Sequence, residues 1–500
     1  MNAPLQEVKN MLGQLRLSGA HDSLEELLIA AEVTPFIKTG GLADVAGSFP
    51  KALKQNGCDI RVVMPLYSSI SYEYRSKMKH VGFFYVELGW RRQYAGVLSL
   101  EHEGITFYFI DNEYYFNRYN IYGEIDDGER FIFFSKASTI LPKYLYFKPD
   151  IIHTNDWHTG LIPLYIRDFA KGDDFYKEIK SVFTIHNLKY QGVFPEYILE
   201  DVAGLSREYF HEDGLKFYDS INLLKAGIVY SDKITTVSKS YAQEIKTCYF
   251  GESLDGILRN QDYKLSGIIN GIDYDIYNPL TDTNLVKNYD KDTLSYKIQN
   301  KLELQKIYNL PNRQDVPLIS MVTRLVAMKG LDLLCHILDE LLQEDIQFVL
   351  LGTGDREYEN MFRYFQGKYP EKVASRIYFN EKESHLIYGG SDIFIMPSLA
   401  EPCGISQLIA LRYGTIPVIR EVGGLKDTVV PYNEFTGEGN GFSFANFNAH
   451  ELLFTIKRAL NLYQDKDKWS KLMTQAMDAK HDWDESSKEY LKLYTSLIEL

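Results

Sequence analysis

The sequence predicts an α/β protein of two doubly wound domains, and the cleft between two such sheets is the natural place for a site. Three observations carry that prediction. The chain has 500 residues, and a single hydrophobic core seldom serves more than about 250–300. Short runs rich in Val, Ile, Phe and Thr alternate with helical stretches, which is the order of parallel strands with crossover helices. The alternation breaks once, at a proline-ended stretch near residues 273–290, and then begins again.

An N-terminal extension, 1–24, comes first. Val8, Met11, Leu12 and Leu15 follow helical spacing in it, so a short helix is expected, and it lacks the basic start and apolar core of a signal peptide. The first domain is placed at 25–275. LEELLIAAEV, from Leu24, is its opening strand, TPFIKTGGLADVAGSFPKALKQNG a glycine turn and a helix, and DIRVVMPLY a strand ended by Pro65. Residues 80–110 alternate in the manner of antiparallel strands, which predicts a hairpin. ITFYFIDN, PDIIHTNDW, SVFTIHN and SDKITTVS continue the parallel series. LSGIINGIDYDIYNPL reads as a last strand, an Asn-Gly turn and a linker. The second domain, 276–480, repeats the pattern with VPLISMV, IQFVLLGTGD, RIYFN, SDIFIMPS and IPVIREVGG. In the tail, 481–500, Trp483, Tyr490, Leu491 and Tyr494 share one helical face and predict a helix that packs on the body.

Composition narrows the function classes. With 54 basic against 68 acidic residues the net charge is -14, and no Lys/Arg run offers the basic face that nucleic acid requires. No stretch nears the ~18 apolar residues of a membrane span. Four scattered cysteines without a Cys-x-x-Cys pair form neither a disulfide framework nor a zinc ribbon and suit a reducing, cytoplasmic setting. The chain is also rich in tyrosine, with 37.

Ligands of open α/β sheets lie beyond the carboxyl ends of the strands, and the candidate constellations all follow a strand. In Lys38-Thr39-Gly40-Gly41-Leu42 adjacent glycines open a helix whose N–H groups can meet a phosphate, although a plain strand-to-helix turn reads equally well. The motif is neither GxGxxG nor GxxxxGK[ST]. Arg324 and Lys329 flank the start of another helix, where two cations can neutralise a pyrophosphate or simply face water. Glu401-Pro402-Cys403-Gly404-Ile405 offers a carboxylate for hydroxyl groups, with Cys403 as a packed neighbour that has no basic partner. His186 and Asn187, and Asp156-Trp157-His158, stand directly after strands. No GxSxG elbow accompanies them, and His153, Asp156 and His158 do not have the spacing of a closed metal site. Gly423-Gly424-Leu425-Lys426-Asp427 echoes Gly40-Gly41-Leu42-Ala43-Asp44.

Taken in order, AAEVTPFIKTGGLADVAGSFPKAL, DWHTGLIP, TIHNLKYQGVFP, LKAGIVYSDKITTVS, INGIDYDIYNP, TRLVAMKGLDLL, EPCGISQLIALRYGTIPVIREVGGLKDTV and the tail from Trp483 resemble the bacterial glycogen synthase and plant starch synthase family. The resemblance runs from about Glu26 to the C-terminus. It implies the GT-B fold, two Rossmann-like domains with a C-terminal helix returning to the first. It implies a retaining glucosyltransferase that moves glucose from ADP-glucose to the non-reducing 4-hydroxyl of glycogen or a malto-oligosaccharide, with neither metal nor other cofactor. By the same carry-over Lys38 reaches the donor phosphates, Arg324 and Lys329 hold the pyrophosphate, Glu401 binds glucose hydroxyls and His186 lies near the reacting carbon. Glu32, Gly40, Gly41, Asp44, Tyr122, Asp156, Asn187, Asn270, Phe379, Cys403, Gly404 and Ile405 complete the expected binding surface.

The chain departs from the family at Ser398-Leu399-Ala400, at His385-Leu386-Ile387, at Val422, at Arg118-Tyr119-Asn120, and at Phe379, which replaces a tyrosine expected to stack on adenine. These departures are expected on nucleotide and acceptor surfaces. Alternatives are a related transferase using UDP-glucose or another acceptor, and a glucan-binding protein without turnover.

Overall fold

The computed structural model describes residues 23–499, so the helix expected around Val8–Leu15 lies outside the described residues. The chain divides into two compact units. One runs to Asn270 and resumes at Trp483, and the other is Gly271–Asp482.

The first unit is built on a nine-stranded sheet. Its spatial order is Leu265–Gly267, Lys233–Thr236, Lys180–Ile185, Ile151–Asn155, Glu25–Ile29, Asp59–Pro65, Ile105–Asp111, Arg91–His102 and Lys79–Leu88. Pairing is parallel as far as Ile105–Asp111, and the last two strands add the antiparallel hairpin that alternation predicted. Ile151–Asn155 is buried throughout, as a parallel strand covered on both faces must be.

Helix Gly41–Gln55 turns Leu42, Val45, Ala46, Phe49 and Leu53 inward at helical spacing. Helix Trp483–Ile498 docks on it. The Trp483 indole N–H donates to Ser48 Oγ at 2.7 Å, and the Trp483 and Tyr490 rings lie 5.2 and 4.6 Å from Phe49. Deeper in, the Tyr494 hydroxyl sits 2.7 Å from His153 Nδ1 and donates to Glu26 Oε1 at 3.0 Å. His153 Nε2 lies 2.6 Å from Thr184 Oγ1. Both ring nitrogens of His153 are thus committed inside the core.

The second unit has six parallel strands, in the order Val373–Arg376, Gln347–Leu351, Leu318–Val322, Ile393–Met396, Ile416–Arg420 and Phe442–Phe444. Helix Lys297–Ile307 buries a polar face. Lys297 Nζ donates to the carbonyls of Tyr388, Gly389 and Tyr413 and to Thr415 Oγ1. It thereby satisfies carbonyls at the ends of helices Glu381–Gly390 and Ser406–Arg412. Each sheet has a switch point, beside Glu25–Ile29 in the first and beside Leu318–Val322 in the second. The loops leaving those strands, and those leaving Ile151–Asn155, Lys180–Ile185 and Ile393–Met396, carry the candidate groups.

Candidate active site

In the first unit the loop after Glu25–Ile29 turns back through Glu32 into the Gly40-Gly41 start of helix Gly41–Gln55. Glu32 Oε2 accepts from Thr39 N at 2.5 Å and from Thr39 Oγ1 at 2.6 Å, which fixes the turn. Glu32 is 3% exposed, and burial pushes its carboxyl up to about 7 against the pull of those hydrogen bonds. Lys38 Nζ pairs with Asp44 Oδ1 at 2.8 Å.

Asp156 follows Ile151–Asn155 with φ 57° and ψ -179°, a region rarely occupied except by glycine, at a cost of about 1–3 kcal/mol. Its Oδ1 accepts the backbone N–H of His186 at 2.8 Å, with Asn187 N at 3.5 Å. Burial raises this carboxyl to about 7, opposed by the two N–H groups. Burial, with His153 nearby, holds the His186 imidazole down at about 3, so the ring is neutral at physiological pH. The Tyr122 ring lies 4.6 Å from that of His158, and burial raises its hydroxyl, with Glu32 and Asp156 adding to the shift. Asn187 folds its Oδ1 back onto Lys189 N. Asn270 is buried, and its Oδ1 has no hydrogen-bond partner among the described residues.

In the second unit Lys329 closes a 3-10 turn, Ala327–Lys329, after strand Leu318–Val322. Its Nζ lies 2.6 Å from Glu401 Oε2, which also accepts from Ser398 Oγ at 3.0 Å. Two glycine sites force this proximity. Gly330 has φ 71°, and a Cβ there would stand 2.0 Å from Pro397 O. A Cβ on Gly423 would stand 2.0 Å from Glu401 O. The second glycine pair therefore clasps the 401–403 backbone, and Gly424 N donates to Glu401 O at 3.2 Å. Arg324 is exposed and forms no ion pair among the described residues. Cys403 is buried, and Gln407 ties the carbonyls of Cys403 and Gly404 at 3.0 Å each. Ile405 immediately precedes helix Ser406–Arg412.

The structure therefore gathers Glu32, Lys38, Gly40, Gly41, Asp44, Tyr122, Asp156, His186 and Asn187 on one unit, and Lys329, Glu401, Cys403, Gly404 and Ile405 on the other. Phe379 stands apart, 73% exposed, ahead of helix Glu381–Gly390. Two of the departures are buried: Leu386, in the middle of helix Glu381–Gly390, is 6% exposed, and Val422, the N-cap of helix Gly423–Thr428, is 1% exposed. Among the described residues no group of three or more His, Cys, Asp or Glu is arranged to hold a metal ion. His153, with both nitrogens occupied in the core, is not brought into a set with Asp156 and His158. Sequence reasoning gave no role to Thr39 or Asn155, and the strand run IIHTN carries no signal that sets Asn155 apart from His153 and Thr154.

Residues 27–260 match the family model described as the starch synthase catalytic domain, and residues 284–475 that of glycosyl transferases group 1. A glycogen synthase of Finegoldia magna is 56% identical over 94% of this chain and 99% of its own. One from Clostridioides difficile is 49% identical over 94% and 99%. Among solved structures, the catalytic domain of starch synthase IV from Arabidopsis thaliana superposes with a TM-score of 0.90 at 33% identity, covering 96% of this chain and 100% of that one. A sucrose-phosphate synthase from Thermosynechococcus elongatus, at 16% identity and a TM-score of 0.62, shares the fold. Fold and matches together define the class, a GT-B glycosyltransferase. The chain belongs to the glycogen synthase and starch synthase family. It is a glucosyltransferase that uses a nucleotide-sugar donor and a glucan acceptor.

Proposed function

We propose that the donor is ADP-glucose and that glucose passes, with retention of configuration, to the non-reducing 4-hydroxyl end of glycogen or a malto-oligosaccharide in the cytoplasm. The observation that carries the reading is the Lys329–Glu401 pair with Ser398 behind it. It sets a cation for phosphate beside a carboxylate for sugar hydroxyls on one loop cluster, at a strand-end switch point. The Arabidopsis relative was solved bound to ADP and acarbose, which supports the adenine nucleotide.

In this reading Arg324, Lys329 and Lys38 neutralise the charge that develops on the leaving diphosphate. His186, neutral, meets the donor sugar. No side chain is assigned as nucleophile. The leaving phosphate takes the proton of the acceptor hydroxyl as the new glycosidic bond forms on the same face. The protein contributes positioning and charge stabilisation. Four free cysteines support a reducing compartment.

Purified protein, given ADP-glucose and UDP-glucose separately with glycogen and no added metal, is expected to transfer from ADP-glucose. Lys329→Ala and Glu401→Ala are each expected to lower kcat by about 100-fold or more. Preference for UDP-glucose would overturn the donor assignment and direct attention to Phe379. Wild-type turnover in both variants would overturn the site.

A further inference from the structure

The His186 ring is held by a residue that no motif singled out. Nε2 of His186 lies 2.8 Å from Asn155 Oδ1. The other end of that carboxamide, Nδ2, donates to Ile29 O at 3.1 Å. Ile29 O is a carbonyl and can only accept, so the amide must face it with its N–H, and Oδ1 must face the imidazole. A carbonyl oxygen facing Nε2 demands a proton there. The ring is therefore the Nε2–H tautomer, with Nδ1 unprotonated and, among the described residues, without a hydrogen-bond partner.

The backbone explains how one dipeptide does this. Successive side chains of a strand point to opposite faces, so Asn155 and Asp156 should diverge. The left-handed φ of 57° at Asp156 breaks the alternation and brings both side chains to residue 186. Asp156 Oδ1 takes its backbone N–H, and Asn155 Oδ1 takes its ring N–H. Asn155 is itself fixed, since its backbone N–H donates to Thr159 Oγ1 at 2.7 Å and its side chain is buried.

We propose that Asn155 is a positioning residue that locks His186 as the neutral Nε2–H tautomer and so presents Nδ1 as a hydrogen-bond acceptor for a hydroxyl of the donor sugar. The inference rests on the role given to His186 above. A flipped ring would offer a donor where an acceptor is needed. A protonated one would place a positive charge beside a sugar that itself becomes cationic as the bond to phosphate breaks. The titratable groups near the ring are His153, whose two nitrogens are taken by Tyr494 and Thr184, and Asp156, whose Oδ1 is taken by backbone. Among the described residues the neutral carboxamide of Asn155 is the only partner of Nε2.

The test uses full-length protein labelled with 15N-histidine, with His186→Ala to assign its resonance, and steady-state kinetics with ADP-glucose and glycogen. Wild type is expected to show a single Nε2–H imidazole at neutral pH. Asn155→Leu, folded by circular dichroism, is expected to lose the single tautomer and to drop kcat about 10- to 100-fold, with KM for glycogen unchanged. Asn155→Asp puts a carboxylate against Nε2 and raises the ring pKa. It is expected to gain an acid limb, with activity lost below about pH 6.5 where wild type stays active. An Nδ1–H tautomer in wild type would overturn the proposal. So would wild-type kcat with an unchanged tautomer in Asn155→Leu. Wild-type turnover in His186→Ala would remove the role of His186 itself. Loss of turnover there, with Asn155→Leu unaffected, would remove only the positioning role.

Discussion

Glu32 is a buried carboxyl whose ionisation the fold opposes, and replacing it by glutamine should stabilise the protein. Its carboxyl is raised from 4.5 to about 7, chiefly by burial. A carboxyl raised on folding binds more protons in the native state than in the unfolded state, so its contribution is fully present below about pH 4.5 and is lost as pH rises to about 7. Above that, both states are ionised and the native state carries the whole cost. A shift of about 2.5 units corresponds to about 3.4 kcal/mol at 1.36 kcal/mol per unit. At about pH 6 the cost is about 2 kcal/mol. Wild type should therefore lose about 1.4 kcal/mol between about pH 6 and about pH 8.5 that Glu32→Gln does not lose, since Gln Oε1 can still accept from Thr39 N and Oγ1. Urea unfolding of both proteins at the two pH values measures the difference of differences, and m-values show whether the transitions are comparable. A stability difference independent of pH, or a Gln variant less stable than wild type at the higher pH, would refute the reasoning.

Other outcomes follow from the same contacts. Gly330→Ala forces a Cβ to 2.0 Å from Pro397 O at φ 71° and should cost about 2 kcal/mol or more, read as a lowered melting temperature with reduced kcat, because Lys329 is displaced with it. Tyr494→Phe strips a hydroxyl from His153 and from buried Glu26 and should cost about 1–3 kcal/mol, with kcat unchanged in the folded fraction. Lys301→Met removes the cation 2.7 Å from Asp392 Oδ2, leaving the carboxylate with Leu318 N and the Tyr463 hydroxyl. Its expected cost is about 3–5 kcal/mol, and the double variant with Asp392→Asn should recover part of the loss in the same melting assay.

Much of this was legible in the residues. The strand and helix alternation marked both sheets, and the period-2 stretch at 80–110 marked the hairpin, because periodicity reports which face is buried. The turn glycines marked close approaches, as Gly423 against Glu401 O illustrates. What escaped was polar burial. In KIQNKLELQKI the polar Lys297, Asn300, Lys301 and Gln305 are buried, and carbonyls at the ends of two other helices satisfy the Lys297 side chain. That arrangement exists only once distant segments meet. Asn155 escaped for a related reason. Its role depends on a left-handed backbone at Asp156, and a residue other than glycine does not announce that conformation.

The two units are prepared for charge in opposite senses. In the first, Glu32 and Asp156 are both raised to about 7 and His186 is held near 3, so burial disfavours the charged form of these three, beside the Lys38–Asp44 ion pair. In the second, among the described residues, Arg324 forms no ion pair and Lys329 pairs with Glu401. A diphosphate gains charge as it leaves and a sugar becomes transiently positive, so fixed cations favour the first and neutral, hydrogen-bonding groups the second. Neutral acceptors stabilise a cationic sugar without binding it irreversibly, and a buried carboxyl with a pKa near 7 can ionise when such a charge comes close.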